Sequence, residues 1–102
     1  MNYRPLPKGF TIKESKIQGL GLFTTREIKN RVILGVGWVA NEYFPDGYVR
    51  TPLGGFVNHS NDPNCTKMVH EGIGIIWLEA LRDIDPGEEI TTKYSFYNIC
   101  PD

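Results

Sequence analysis

Hydrophobic and polar positions along this chain change places over short distances, and no stretch keeps a helical period for long. Phe10-Thr11-Ile12-Lys13 alternates strictly, as a half-buried strand does. Residues 32–39 are rich in β-branched side chains and short for a helix, and Gly35 and Gly37 make them a pliable buried strand. Residues 67–70 and 73–81 read as two strands joined around Glu71-Gly72, and residues 90–94 as a last short strand. Pro45-Asp46-Gly47 and Asp85-Pro86-Gly87-Glu88 supply turns, while Pro52 and Gly54-Gly55 break any long element between residues 48 and 55. Many short strands, no internal repeat and no strong helix predict a mainly β domain.

One polar stretch stands out against that pattern. Gly54 to Cys65 reads GGFVNHSNDPNC, with three amides, an imidazole and a hydroxyl between two apolar segments. Pro63 fixes its own φ and pushes Asp62 toward an extended conformation, so Asp62-Pro63-Asn64-Cys65 reads as a tight turn that holds the residues before it. Phe56-Val57 is expected in the core, leaving Asn58, His59 and Ser60 at its rim as an edge that reads a ligand by hydrogen bonds. For such a cluster alone, side chains satisfying nearby backbone are the preferred account.

Length and composition bound the alternatives. With 102 residues, 40% of them apolar, the chain has enough for one core and too little for two, and residues 1–102 are expected to form a single domain. Eleven basic against 12 acidic residues, net charge −1, and no like-charge run give no basic footprint, so nucleic acid is not an expected partner. No apolar run approaches a membrane span, and Pro5 and Pro7 fall where a secretory leader needs an apolar run. A soluble, intracellular protein is expected. Cys65 and Cys100 are the only cysteines, and with His59 and His70 they match no usual ligand spacing; no metal is expected, and Cys65 reads as a buried structural thiol.

Gly19-Leu20-Gly21 brings two glycines one residue apart, which lets backbone approach another group closely or bend sharply between strands. A third glycine at the spacing of a phosphate-binding loop is absent.

Three separated stretches acquire meaning together. Ser15-Lys16-Ile17-Gln18-Gly19-Leu20-Gly21-Leu22-Phe23 comes first, then Phe56-Val57-Asn58-His59-Ser60 with Pro63-Asn64-Cys65. Ala80-Leu81-Arg82-Asp83-Ile84 follows, with Pro86-Gly87-Glu88-Glu89-Ile90 and Tyr94. In this order they resemble the signature motifs of the SET-domain protein lysine methyltransferases. The resemblance implies a β-clip SET-domain fold: small curved sheets and a threaded, pseudoknot-like C-terminal segment that brings the Asn-His-Ser stretch beside the final tyrosine. It further implies S-adenosylmethionine as cofactor, held by Gly19, Leu20, Gly21, Asn58 and His59, and a protein or peptide substrate whose lysine receives the methyl group beside Tyr94.

The chain also departs from common family patterns. Where many members carry an aromatic and then an acidic residue before the final tyrosine, it has Thr92 and Lys93. In a strand Thr92 shares the face of Tyr94, so Thr92 is expected to line the substrate channel and Lys93 to point away. Phe96 and Tyr97 are the aromatics left after Tyr94 to cover the adenine or the channel. The insert before Asn58 is short, and the cysteine cluster that follows the domain in some members is missing. With little to cover its sheet edges, the domain is also expected to form a homodimer. A SET-like module that binds cofactor or peptide without turnover is the alternative to an enzyme.

Overall fold

A computed structural model describes residues 6–43, 47–70, 72–93 and 97–99, the last three by their backbone alone. In chain order the elements are β1 (Phe10–Glu14), β2 (Leu20–Thr24), β3 (Ile33–Ala40), β4 (Tyr48–Arg50), α1 (Pro52–Gly55), β5 (Asn58–His59), β6 (Cys65–His70), β7 (Ile75–Ala80), β8 (Thr91–Thr92) and β9 (Tyr97–Ile99). The fold is mainly β, as the short-period pattern predicts. The strands make three small sheets: the β1-β2 hairpin, a five-stranded sheet in the order β4-β3-β7-β6-β9, and the parallel pair β5-β8.

Each sheet follows from local sequence. β1 runs one residue past its alternation, to the exposed Glu14, and pairs with β2 from Phe10↔Thr24 to Glu14↔Leu20. β3 is not straight: its register with β7 shifts between Ile33 and Gly35 and again between Val36 and Trp38. Such extra residues raise the local twist and curl the sheet. The two strands flanking Glu71-Gly72 are β6 and β7, and the turn between them closes when the Gly74 amide donates to the His70 carbonyl at 3.0 Å.

The helical turn α1 lies in the stretch that the sequence reading left irregular. Thr51 caps it, its hydroxyl accepting from the Gly54 amide, and Pro52 occupies the first turn, where its missing N–H costs nothing. α1 lies flat on β3, because a Cβ on Gly54 would collide with the carbonyl of Gly37. Beneath these elements Phe10, Leu22, Leu53, Leu78, Ile84 and Ile90 form the centre of one core. Cys65 belongs to that core, and burial pushes its thiol up to about 12 against a smaller opposing pull from Arg82.

The C-terminal segment closes the fold. β8 lies parallel to β5, with Asn58↔Thr91 and His59↔Thr92, and the chain then enters the large sheet as β9, parallel to β6. The polar stretch between β5 and β6 is therefore clasped by strands made much later in the chain. This is the threaded arrangement expected from the motifs.

Candidate functional site

The three signature stretches meet at one residue. Leu22, wholly buried, donates its amide to the Phe56 carbonyl at 3.1 Å and accepts from the Ile90 amide at 2.7 Å. One peptide unit on either side of Leu22 thus ties the glycine stretch, the Asn-His-Ser stretch and the C-terminal motif together. Buried backbone groups need partners, and each stretch supplies them to the others.

Around that knot the polar side chains form a network. Asn58 Nδ2 lies 3.1 Å from the Gln18 carbonyl, 3.3 Å from the Leu20 carbonyl and 2.8 Å from Glu89 Oε2. Its two hydrogens are shared among three acceptors on the glycine loop and the C-terminal motif. The Ser15 hydroxyl donates to the same carboxylate at 2.8 Å across 74 positions of sequence. Ser15 Oγ also accepts from the Ile17 amide at 2.9 Å, so the loop is held from inside as well.

The paired glycines have different reasons to be glycine. A Cβ on Gly21 would run into the Glu89 carboxylate, so what approaches this backbone closely is a side chain of the protein itself. Gly19 has φ +49 in the turn between β1 and β2, and a Cβ there would meet nothing within 4 Å. Its outer side is open, and Ile17 and Leu20 beside it are about half exposed, at 51% and 50%.

A second amide fastens the C-terminal segment. Asn64, 2% exposed, donates from Nδ2 to the Glu89 carbonyl at 2.7 Å and accepts on Oδ1 from the Thr91 amide at 2.9 Å. Its own amide donates to Thr91 Oγ1 at 3.2 Å. Asn64 therefore completes the edge of β8 as another strand would. Neither it nor Glu89 was among the sequence candidates. Glu89 carries no signal of its own beyond its motif, while the turn proline before Asn64 marks the place but not the partner.

The predicted site residues fall into three groups. Gly19, Leu20, Gly21 and Asn58 are brought together by the hydrogen bonds above. His59 sits one residue on, beside Thr92, with Nε2 3.2 Å from Asn61 Oδ1. Thr92 is 1% exposed, its hydroxyl without a hydrogen-bond partner among the described residues, and Lys93 next to it is exposed. Tyr94 and Phe96 lie outside the described residues, and Tyr97 is placed by its backbone, opposite Lys67 in the β6-β9 pair.

Next to the Asn-His-Ser strand, reached through Val57, is a cavity of about 470 Å³, lined among others by Trp38, Tyr48, Arg50, Val57, Lys67 and Ile76. Lys67 Nζ lies 5.9 Å from the centre of the Trp38 ring, and desolvation holds its ammonium below the ordinary lysine value. Val57 faces this cavity while Asn58 reaches the glycine loop.

Fold and motif order define a class, and comparison with known proteins agrees. The SET-domain family profile matches residues 33–95, more than half of the chain. This chain belongs to the SET-domain family. A histone-lysine N-methyltransferase of Arabidopsis thaliana is 44% identical over 70 residues, covering 62% of this chain and 5% of the relative. A variant-silencing SET domain-containing protein of Plasmodium falciparum is 30% identical over 131 residues, covering 91% of this chain and 5% of its own length. The chain thus spans about a twentieth of these relatives. Among solved structures, that of a Plasmodium falciparum protein described as a histone methyltransferase superposes with TM-score 0.72 at 24% identity, covering 86% of this chain and 94% of that one. At that identity the likeness speaks for the fold.

Proposed function

We propose that this chain transfers a methyl group from S-adenosylmethionine to the side-chain amine of a lysine in a protein substrate. The observation that carries the proposal is the junction at Leu22, which gathers the glycine loop, Asn58-His59 and the strand leading to Tyr94 around one point. The relatives named as histone-lysine N-methyltransferases support the same reading.

The residues present suit such a cofactor. Gly19 is open on its outer side, Leu20 offers an exposed apolar face, and Asn58 Oδ1 has no donor among the described residues. We assign cofactor binding to Gly19, Leu20, Gly21, Asn58 and His59, with Glu89 and Ser15 holding the loop in shape. When bound, the cofactor supplies a methyl group on a sulfonium, already a good leaving group.

The protein's own task is then geometric. Free lysine, with a pKa of about 10.4, is almost wholly protonated at neutral pH, so the site must favour the neutral amine and hold it in line. Burial beside Thr92 disfavours the ammonium. Tyr94 is assigned to the transfer centre; with a phenol pKa of about 10 it orients the amine by hydrogen bonding instead of acting as a base. Phe96 and Tyr97 are assigned to the walls of the channel.

The test pairs two measurements on wild type and Tyr94→Phe. Calorimetry follows S-adenosylmethionine binding, and labelled cofactor with a lysate of the host follows transfer. Tyr94→Phe is expected to bind cofactor as wild type does and to lose most transfer, the pattern of an interaction made in the transition state. Transfer at the wild-type rate in the variant refutes the role of Tyr94. Cofactor binding without transfer by the wild-type chain favours the non-catalytic module instead.

A further inference from the structure

The outer face of the five-stranded sheet takes no part in the candidate site. Residues 32–39 read in sequence as a buried strand, yet Ile33, Val36 and Val39 are 57%, 37% and 42% exposed. The two register shifts explain the difference: each adds a residue to β3, so side chains three apart, opposite Glu79, Trp77 and Ile75 of β7, share one face. β7 alternates in step, with Leu78 and Ala80 in the core and Trp77 and Glu79 half-buried on the other side. Met68 of β6 lies opposite Trp77 and Val49 of β4 opposite Val39, which widens the same face. We propose that this apolar face is where two copies of the chain meet, packed sheet on sheet about a two-fold axis.

Three observations favour a second copy as the occupant. The first is composition. Among the described residues that project from this face, Glu79 alone carries a full charge, and it stands at one end of the pairing. A neutral face needs no complementary charge to meet it, and interfaces between identical subunits are the most apolar kind. The net charge of −1 on each chain sets up little repulsion between copies. The second is shape. Both copies carry the same right-handed twist, so their sheets can stack aligned to within about 30° and about 10 Å apart. The edge strand β4 has three residues, Tyr48–Arg50, too few to invite strong edge-to-edge pairing. Self-association, expected from the sequence at uncovered edges, is therefore assigned to a face.

The third is area. Four strands about 4.8 Å apart and about 20 Å long present roughly 400–500 Å² per copy, and the exposed Val32 and Leu81 at one end bring this to roughly 500–600 Å². That is the upper end of the apolar patches found on monomers. Two copies together bury roughly 1,000–1,200 Å², the low end for specific partners. Such an area suits a reversible dimer with a Kd on the order of 10 µM and not a permanent one.

The pairing leaves the candidate site open. Lys67 and Ile76 line the cavity, whereas Met68 and Trp77, next to them in the chain and opposite each other in the sheet, project from the other face. Asn58 and His59 belong to a separate sheet with Thr91 and Thr92. A dimer of this kind carries one cavity per copy, neither covered by the sheet of the other. The inference stands apart from the methyltransferase reading, and a monomer that binds S-adenosylmethionine would sink the one without touching the other.

Sedimentation equilibrium on the whole chain reads the association. Between about 1 and about 200 µM, wild type is expected to pass from mostly monomer to mostly dimer, with no larger species. Val36→Glu and Val39→Glu put a carboxylate into the face of each copy and should weaken association at least about tenfold. Thr25→Glu adds the same charge at an exposed position beside β2 and should leave association unchanged. Circular dichroism verifies that each variant is folded. Val39→Thr keeps the branched shape, so it tests the same contact where glutamate is not tolerated, with association weaker by about threefold. A wild-type chain still monomeric at about 200 µM, or a dimer that persists in the folded Val36 and Val39 variants, overturns the proposal. So does a dimer lost equally in Thr25→Glu, or growth beyond the dimer with concentration, the mark of a head-to-tail contact that does not close.

Discussion

Asn64→Ala removes the clamp on the C-terminal segment and leaves the backbone beneath it with nothing to bond. Two groups lose their partners: the Glu89 carbonyl, now bonded at 2.7 Å, and the Thr91 amide, now bonded at 2.9 Å. Thr91 is 7% exposed, so water does not readily take Asn64's place. A buried polar group left unsatisfied costs about 1–3 kcal/mol, which puts the pair at about 2–6 kcal/mol. A domain of this length has roughly 5–15 kcal/mol in all. The variant should therefore lie near the edge of folding, with a melting temperature lower by roughly 10–25 °C. Urea unfolding of wild type and variant, followed by tryptophan fluorescence, measures the loss. Hydrogen exchange at the Thr91 amide then locates it, since that N–H should lose protection more than its neighbours do. Asn30→Ala, an exposed residue, serves as control and should stay within about 0.5 kcal/mol. An Asn64→Ala protein within that same margin of wild type, or one whose Thr91 amide stays protected, refutes the claim that this side chain closes the fold.

Other consequences are open to equally direct tests. Gly21→Ala should loosen the loop and weaken S-adenosylmethionine binding in calorimetry, because its Cβ must displace the Glu89 carboxylate; Gly19→Ala meets no such obstacle and should cost only about 1–2 kcal/mol of backbone strain in urea unfolding. Equal effects of the two on cofactor binding would count against the part given to Glu89. Cys65, with a thiol pushed up to about 12, should resist a disulfide reagent at pH 8 until urea unfolds the chain; rapid labelling of the folded protein at Cys65 would contradict its burial. The same shift has a sign in stability. The unfolded thiol releases its proton near 9.0 and the folded one near 12, so between those values rising pH favours the unfolded chain. Cys65→Ala should flatten that part of the pH profile.

Much of this architecture is legible in the sequence. Alternation marks residues 10–13, within the observed Phe10–Glu14, β-branched content marks residues 32–39 against the observed Ile33–Ala40, and the Glu71-Gly72 break marks the two strands on either side of it. In each case the signal is local, set by which face of a strand is buried. What escaped was cooperative or long-range. The single turn at Pro52–Gly55 has a cap and a proline but only four residues, too few for any periodicity to register. The sequence pattern predicts a last strand over residues 90–94, while the described pairing covers Thr91–Thr92, because its length is decided by a two-residue partner elsewhere in the chain. Glu89 and Asn64 looked like ordinary motif members. Their importance lies in what they touch, 74 positions away at Ser15 and 27 positions away at Thr91, and no window of sequence holds both ends. Of the two readings of the paired glycines, Gly19 fits the bend, at φ +49 with open space around it, and Gly21 the close approach, its neighbour being the protein's own carboxylate.

The clasp formed by β8 and β9 also sets an order of events during synthesis. Strands β1, β2, β3, β4 and β7 have their sheet partners among residues already translated once β7 is out, and β6 lacks only β9, whereas Asn58 and His59 pair with Thr91 and Thr92. At about 5–20 residues per second, the 27 positions from Asn64 to Thr91 correspond to about one to five seconds of waiting with an unclosed polar edge. A ribosome paused anywhere in that interval holds a nascent chain with most of its sheet and no site. The candidate site thus takes shape abruptly, when Thr91 and Thr92 slide into place beside Asn58 and His59.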